Sequence, residues 1–342
     1  MVDETREIIG KTSASKEATN TESEFNFWLK NDVLLNPFDF VTVDHEFDTK
    51  TIGMVEGLSA VTDAESHLTN FVSNDFGNVK SEPNTKRLSS IIAKCLVMHN
   101  TGKQHPQFRD INIRVQLPIQ NDKAVFFSTQ NEIEMALGND TVPQERKIPA
   151  GVVLQSNGDF CPIYLDKAYL LGPEGAHVNI SGISGLATKT SYALFLIQVI
   201  LQKIEPKPIV IIFNVKRDDL LYIHQEPEEG DIDEFDRVLY QILGLEMEPF
   251  QNVKYYLPRG ANGEPNSSRR FEADEDYRVY AFSFKDVIER EELTFLFSDV
   301  EDPDYTLESI VYKFISDKDK IDLTQTNWNQ LRNWKVFAKN SK

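Results

Sequence analysis

Basic residues are scarce in this chain, with 36 Lys and Arg against 54 Asp and Glu and a formal charge of −18 at pH 7. Such a surface repels phosphate backbones and anionic lipid, so a protein that coats nucleic acid or membrane along its whole length is excluded. Any nucleic-acid contact must be a local patch. Cysteine is scarcer still. Cys95 and Cys161 cannot form a disulfide framework, and neither has a second Cys or a His at zinc-ligand spacing, so both read as buried thiols. Long apolar runs are also missing. The segment from Ala193 to Leu201 is broken by Gln198 and falls short of the roughly 20 residues that a bilayer span needs. The opening residues, Met1-Val2-Asp3-Glu4-Thr5-Arg6, lead into a polar stretch without the apolar run of a secretory signal, which points to a cytoplasmic protein. Six histidines, at positions 45, 67, 99, 105, 177 and 224, are scattered singly and read as structural or surface groups rather than ligands.

What the sequence does have, 342 residues with 40% in the hydrophobic set, is enough for a sizeable core and two domains. Residues 1–24 are rich in Thr, Ser, Lys and Glu and are expected to be a flexible tail. From residue 25 to 170 short apolar runs follow one another: Phe38 to Val43, Thr51 to Val55, Leu88 to Val97, Asp110 to Leu117, Ala124 to Phe127, Lys147 to Leu154 and Pro162 to Leu165. Several alternate, most clearly Ile111-Asn112-Ile113-Arg114-Val115-Gln116-Leu117, the period-two pattern of a half-buried strand. With turn signals between them these runs predict an all-β antiparallel barrel or sandwich, with a short helix near Asn131 to Leu137. Phe25, Phe27 and Trp28 are expected to pack onto it.

Residues 171–342 read as α/β. His177 to Ser181 runs into a glycine loop and a helix over Ser191 to Lys203, and Ile209 to Phe213 is a continuous apolar run of the kind found in a parallel strand covered on both faces. Helices are expected over Asp233 to Leu243 and Pro303 to Ser316, with strands at Val253 to Leu257 and Val279 to Phe284. The acidic run from Glu226 to Asp236 reads as a solvated loop and helix start, where carboxylates complement the helix dipole. Arg269-Arg270, in a loop rich in Gly, Asn and Ser, is the best candidate for a contact with DNA or a neighbouring subunit.

The segment that carries chemistry is Gly182-Ile183-Ser184-Gly185-Leu186-Ala187-Thr188-Lys189-Thr190-Ser191. Glycines between a strand and a helix let backbone N–H groups turn toward an anion, and the helix N-terminus adds partial positive charge. On this reading Gly182, Gly185, Ala187, Thr188, Lys189, Thr190 and Ser191 bind the phosphates of ATP. Lys189 bridges the outer phosphates and the Thr190 hydroxyl takes Mg²⁺. The spacing is one residue longer than G-x-x-x-x-G-K-[ST], and Thr188 stands where the last glycine would be. An ordinary Gly-Ser turn capped by Thr190 or Ser191 fits the same residues. Beyond the second strand, Asn214-Val215-Lys216-Arg217-Asp218-Asp219 brings charged groups to the edge where ligands collect in open parallel sheets, and a carboxylate there would order the attacking water. The nearest thing to a metal-binding acidic strand is Leu293 to Asp299.

In this order the segments resemble the HerA/FtsK-type ATPases, hexameric DNA translocases with an N-terminal HAS-type barrel and a RecA-like P-loop core. Ile52-Gly53-Met54-Val55-Glu56 and Ala60-Val61-Thr62-Asp63 resemble the opening of that barrel, and Ile148-Pro149-Ala150-Gly151-Val152 with Pro162-Ile163-Tyr164-Leu165 its closing strands. Leu171-Gly172-Pro173-Glu174-Gly175-Ala176-His177 then leads into the loop, as in the family. The family's D-P-H-G-E segment places Asn214 at the Asp, Lys216 at the His and Asp218 at the Glu, so only Asp218 keeps its charge. The resemblance implies an ATPase with Lys189 and Asp218 as catalytic residues, ATP and Mg²⁺ as cofactors, a hexamer, double-stranded DNA as the track, and an effector docked on the barrel. That effector is a nuclease or, in anti-phage defence, a sirtuin-like NADase. No membrane partner is implied. Because no arginine finger can be placed, the chain is expected to be a fragment of a longer ATPase or a shortened subunit. The alternative is a degenerate ring scaffold that organises an effector without hydrolysing ATP. A dinucleotide enzyme fits poorly, since Gly182-x-x-Gly185 is not G-x-G-x-x-G.

Overall fold

The computed structural model describes residues 6–73, 75–80, 88–108, 111–172, 176–182, 188–214, 220–228, 230–260, 262–272, 275–290, 292–297, 303 and 305–316. Two compact units share them, one comprising residues 1–211 and 227–248 and the other residues 212–226 and 249–342.

In the first unit, strands β1 (Gly10–Thr12), β2 (Glu24–Leu29), β3 (Phe40–His45), β4 (Thr49–Thr62), β5 (Ser89–Asn100) and β8 (Ala124–Phe127) close an antiparallel barrel in the order β1-β2-β5-β4-β3-β8. Alternation drives this arrangement. Phe25, Phe27, Val41, Val43, Val55, Ala93, Cys95 and Val125 point inward and are fully buried, which confirms Phe25 and Phe27 as core. Gly53 lets β4 pass close to Phe25, because a Cβ there would lie 2.6 Å from Phe25 Cε1. Helix α1 (His67–Ser73) lies between β4 and β5, and a small hairpin of β6 (Lys103–Gln104) and β7 (Asn112–Ile113) lies between β5 and β8.

Two expectations are corrected here. Residues 6–24 do not form a flexible tail: β1 pairs with β2 on one side and β8 on the other, and so closes the barrel. Ile9 is buried in the core, and Thr12 holds the 120–123 segment through its hydroxyl to Gln120 O (2.6 Å) and from Lys123 N (2.9 Å). The alternating run from Asp110 to Leu117 supplies only the two residues of β7, and Ile111, Ile113 and Leu117 are exposed. The place such a strand would take is already filled by β1.

Helix α2 (Gln130–Ala136) follows β8, with a capping box in which Thr129 and Glu132 satisfy each other's backbone N–H groups. Glu132 is also the electrostatic centre of the barrel wall. Its carboxylate accepts from Arg6 (2.9 and 3.1 Å), Lys50 Nζ (3.1 Å) and Thr42 Oγ1 (3.0 Å). Burial pushes the Glu132 pKa upward, but the Arg6 guanidinium, the Thr129 N–H and Lys50 outweigh it and hold the group at about 2.

The segments expected to close the barrel, Ile148–Val152 and Pro162–Leu165, do not: β9 (Lys147–Leu154) and β10 (Phe160–Asp166) form their own two-stranded sheet because β1 already closes the barrel, and α3 (Lys167–Leu170) is capped by Asp166. Helices α4 (Thr188–Lys203) and α5 (Glu234–Ile242) complete this unit, with Val199, Ile200, Ile204, Leu243 and Leu245 packed against Ile148. Asp233 caps α5, whose first turn carries Glu234 and Asp236, so the end of the acidic run serves the helix start.

The second unit contains a parallel pair, β11 (Tyr255–Pro258) with β12 (Tyr277–Tyr280), then α6 (Phe284–Glu289) and α7 (Thr306–Ser316). Leu221, Leu257 and Phe271 form one core and Phe284, Val287, Ile288, Leu293 and Val311 another. Neither strand of the expected βαβ unit belongs to a sheet among the described residues. Ile209, Ile211 and Phe213 are 92, 74 and 87% exposed, so among the described residues the run expected to be covered on both faces is left open on one. In the Leu293–Asp299 segment the described residues are helical rather than extended, since Glu292–Phe297 is a 3₁₀ helix, while Ser298 and Asp299 lie outside the described residues.

Candidate functional site

The glycine loop precedes α4 in the chain, and that helix is anchored at both ends. Tyr192 donates its hydroxyl to Ala150 O on β9 at 3.0 Å, and its ring stacks on Phe195, which in turn meets Tyr240 of α5 edge-on. At the other end of the helix, Gln202 exchanges hydrogen bonds with the backbone of Glu246 (2.8 and 2.9 Å) and Gln198 donates to Glu248 O (3.1 Å). The first turn of α4 is therefore held on a rigid support.

At that turn Lys189 folds back, its Nζ donating to Gly182 O at 2.8 Å. Gly182 admits this approach because it has no side chain. A Cβ there would stand 3.1 Å from Lys189 Cγ and 3.3 Å from Thr188 Oγ1. Gly182, Thr188 and Lys189 thus come together at the mouth of the loop, with Thr190 half-buried and Ser191 exposed one and two residues further along α4. Gly185 and Ala187, inside the loop, and Asp218, beyond the second apolar run, lie outside the described residues.

Lys189 stands at the start of a 16-residue helix with a carbonyl as its acceptor, so an anion arriving there would meet both its ammonium and the helix dipole. The Thr190 hydroxyl is of the type that ligates Mg²⁺ beside a phosphate. Among the described residues no group of three or more His, Cys, Asp or Glu side chains could hold a metal by itself.

A second polar constellation lies in the other unit, where no motif announces it. His224 Nε2 meets Glu275 Oε1 at 3.0 Å and its Nδ1 meets Tyr255 Oη at 2.8 Å. Arg269 forms an ion pair with Glu275, donates to Leu221 O at 2.8 Å, and lies over the rings of Phe271 and Tyr222. Desolvation raises the Glu275 pKa, but the Glu272 N–H, Arg269 and His224 more than offset it and keep the carboxyl below its usual range. These residues are up to 51 positions apart, and no spacing rule connects them. The cluster corrects one expectation: Arg269 is committed to packing and to Glu275, which leaves Arg270 as the exposed member of the pair.

No transmembrane candidate occurs among the described residues, in which no helix is long and apolar enough to cross a membrane. No protein-family model matches the sequence, and comparison with curated proteins finds none of significant similarity.

Proposed function

We propose that this chain is an ATP-binding subunit of a HerA/FtsK-type DNA translocase, in which the barrel assembles and docks while the loop from Gly182 to Ser191 takes the nucleotide. The observation that carries the reading is the Lys189 Nζ contact to Gly182 O at the first turn of α4. Bound ATP with Mg²⁺ would supply the transferable phosphoryl group. The roles of the chain's own residues follow from their chemistry. Lys189 would leave the Gly182 carbonyl to neutralise the outer phosphates, and the Thr190 hydroxyl would hold the metal. Backbone N–H groups of Gly182, Gly185, Ala187, Thr188 and Ser191 would bind the phosphates, and Asp218 would order the attacking water. Six copies form the ring, double-stranded DNA is the track, and a nuclease or NADase effector docks on the barrel in the cytoplasm. With a net charge of −18, DNA contacts must be confined to a few basic side chains, which makes binding strongly salt-dependent.

The test is titration with a fluorescent ATP analogue in the presence of Mg²⁺, comparing the parent chain with Lys189→Ala. The reading requires saturable binding that weakens at least about tenfold in the variant, the scale of one lost charge-assisted contact. Equal affinity in the two proteins would refute it. A scaffold reading, with ring and effector but no hydrolysis, is favoured by a specific observation. Ile209, Ile211 and Phe213 stand uncovered and Glu292–Phe297 is a 3₁₀ helix, so the described residues do not assemble the sheet edge that phosphoryl transfer needs. Absence of nucleotide binding together with an intact ring would select it.

A further inference from the structure

We infer that the barrel unit carries a binding surface for single-stranded DNA, with Phe47 and Phe108 as stacking platforms and Lys103 and Arg114 as phosphate contacts. The choice of DNA rests on the proposed function, whereas the surface itself needs neither the glycine loop nor bound nucleotide.

The chain has a net charge of −18, yet one recess in it is lined by cations and no carboxylate. It has a volume of about 370 Å³ and lies against the β6–β7 hairpin, between Phe47, Lys103 and the stretch from Ile113 to Leu117. Lys103 and Arg114 are exposed there, and neither forms an ion pair among the described residues. In the adjoining turn Glu46 is taken by Lys123 at 3.0 Å, which leaves Asp48 as the exposed carboxylate of that turn. A recess of this size is at the small end for ligand sites and takes a flat ring rather than an element of another protein.

Its aromatic wall is held on the surface at a cost. Phe47, in the turn between β3 and β4, has φ 61° and ψ 35°, and Asp48 follows with φ 56°, the left-handed region that bulky side chains avoid. Burial does not repay this strain, because the Phe47 ring is 57% exposed. Lys103 Nζ lies over that ring, 4.8 Å from its centroid, so a cation and a π face are presented together. Strain that displays a side chain instead of burying it belongs to a binding surface. At the far end of the hairpin His105 Nδ1 accepts from the Gln107 and Phe108 N–H groups (3.1 and 3.2 Å), and its ring packs on Phe108 with centroids 5.0 Å apart. Phe108 is thereby fixed and still 57% exposed. Single-stranded DNA fits this combination. Each base offers a π face to a ring, and the phosphates between bases meet the ammonium and guanidinium beside the rings. In a duplex the bases stack on one another and give neither Phe47 nor Phe108 a face. An acidic peptide would use the cations and leave both rings without a partner.

Fluorescence anisotropy of a labelled oligothymidine with the full chain, at low salt and without ATP, tests this. The expected result is saturable binding whose log–log salt slope is about −1.4, roughly −0.7 for each of two neutralised phosphates. Phe47→Ala should weaken it at least about fivefold, the scale of one lost stacked base, and Phe47→Trp should retain it. Lys103→Gln and Arg114→Gln should each flatten the slope by about 0.7. All three positions are exposed, and circular dichroism checks that each variant folds. Photocrosslinking with 5-iodouracil in the same oligonucleotide should attach it to Phe47 or Phe108. Absence of binding, binding that Phe47→Ala, Lys103→Gln and Arg114→Gln leave unchanged, or tighter binding of RNA or of duplex DNA of the same length overturns the inference. The ATP titration with Lys189→Ala decides the proposed function separately, since no nucleotide is present here.

Discussion

Removing the Arg6 guanidinium should release the strand that closes the barrel. Arg6 contacts Glu132 through two nitrogens, donates to Phe127 O and covers the Phe126 ring, so it joins the start of the chain to α2 and β8. The Glu132 side chain is only 10% exposed, and its pKa is held at about 2 against an ordinary 4.5. A shift of this size corresponds to about 3 kcal/mol favouring the ionised form. Breaking a buried pair costs about 3–5 kcal/mol when the remaining charge is left alone, but Lys50, Thr42 and the Thr129 N–H still serve Glu132. The loss expected for Arg6→Met is therefore about 2 kcal/mol, which opens β1 about thirtyfold more often. Hydrogen exchange of the peptide spanning Ile9 to Thr12 reads that opening, because the Ile9 N–H is bonded to Val125 O and the Thr12 N–H to Lys123 O. The pH dependence follows the same carboxylate. Its depressed pKa adds stability that is complete above about pH 4.5 and lost as pH falls toward 2, and Arg6→Met should shrink that acid-sensitive part. Exchange within twofold of the parent, with unchanged acid sensitivity, would refute the reasoning.

Gly10→Ala should cost about 1–3 kcal/mol, because a Cβ there collides with Trp28 O and comes within 2.7 Å of Phe27 Cδ2; urea unfolding measures it, and no change would mean that β1 does not sit this close to β2. His45 should make the barrel sensitive to mild acid. Its ring is buried, with Nδ1 near Asn100 Nδ2 (3.1 Å) and Thr51 Oγ1 (3.3 Å). Desolvation lowers its pKa and Lys123 adds to this, against the opposing pull of Glu46 and the Pro118 and Leu117 carbonyls. Stability should then fall as pH drops below about 6.5, where the unfolded imidazole takes up its proton first. That decline should vanish in His45→Gln, and its persistence would place the titrating group elsewhere.

The barrel was largely legible because its strands are short apolar runs between turn signals: Phe38–Val43 and Thr51–Val55 contribute the paired stretches of β3 and β4, with Val41, Val43 and Val55 in the barrel interior and Phe40 and Ile52 buried on the opposite face. Its closing strand was not. Gly10-Lys11-Thr12 has no apolar alternation, and its fit depends on a missing side chain at Gly10 and a hydroxyl at Thr12, both of which resemble loop chemistry. The run from Ile111 to Leu117 has the right period but pairs only at Asn112 and Ile113, with β6, since alternation records a strand's preference but not the presence of a neighbour. The same distinction applies to Ile209–Phe213, where apolar content predicted cover that the described residues do not supply. At the loop, spacing singled out Lys189 and Thr190 ahead of a helix expected from Ser191, whereas α4 begins at Thr188, and the return of Lys189 to Gly182 is a contact that sequence order alone does not contain. Arg269 looked like a free cation because its partners, Glu275 and the Phe271 ring, follow it in a segment that carries no regular pattern.

Native mass spectrometry of the full chain with Mg²⁺ and a non-hydrolysable ATP analogue tests the central claim most directly, because it counts subunits and nucleotides in one spectrum. The account predicts an assembly of six chains carrying nucleotide, with the nucleotide lost in Lys189→Ala. Chains that stay free of nucleotide at saturating analogue, whatever their number, would contradict it.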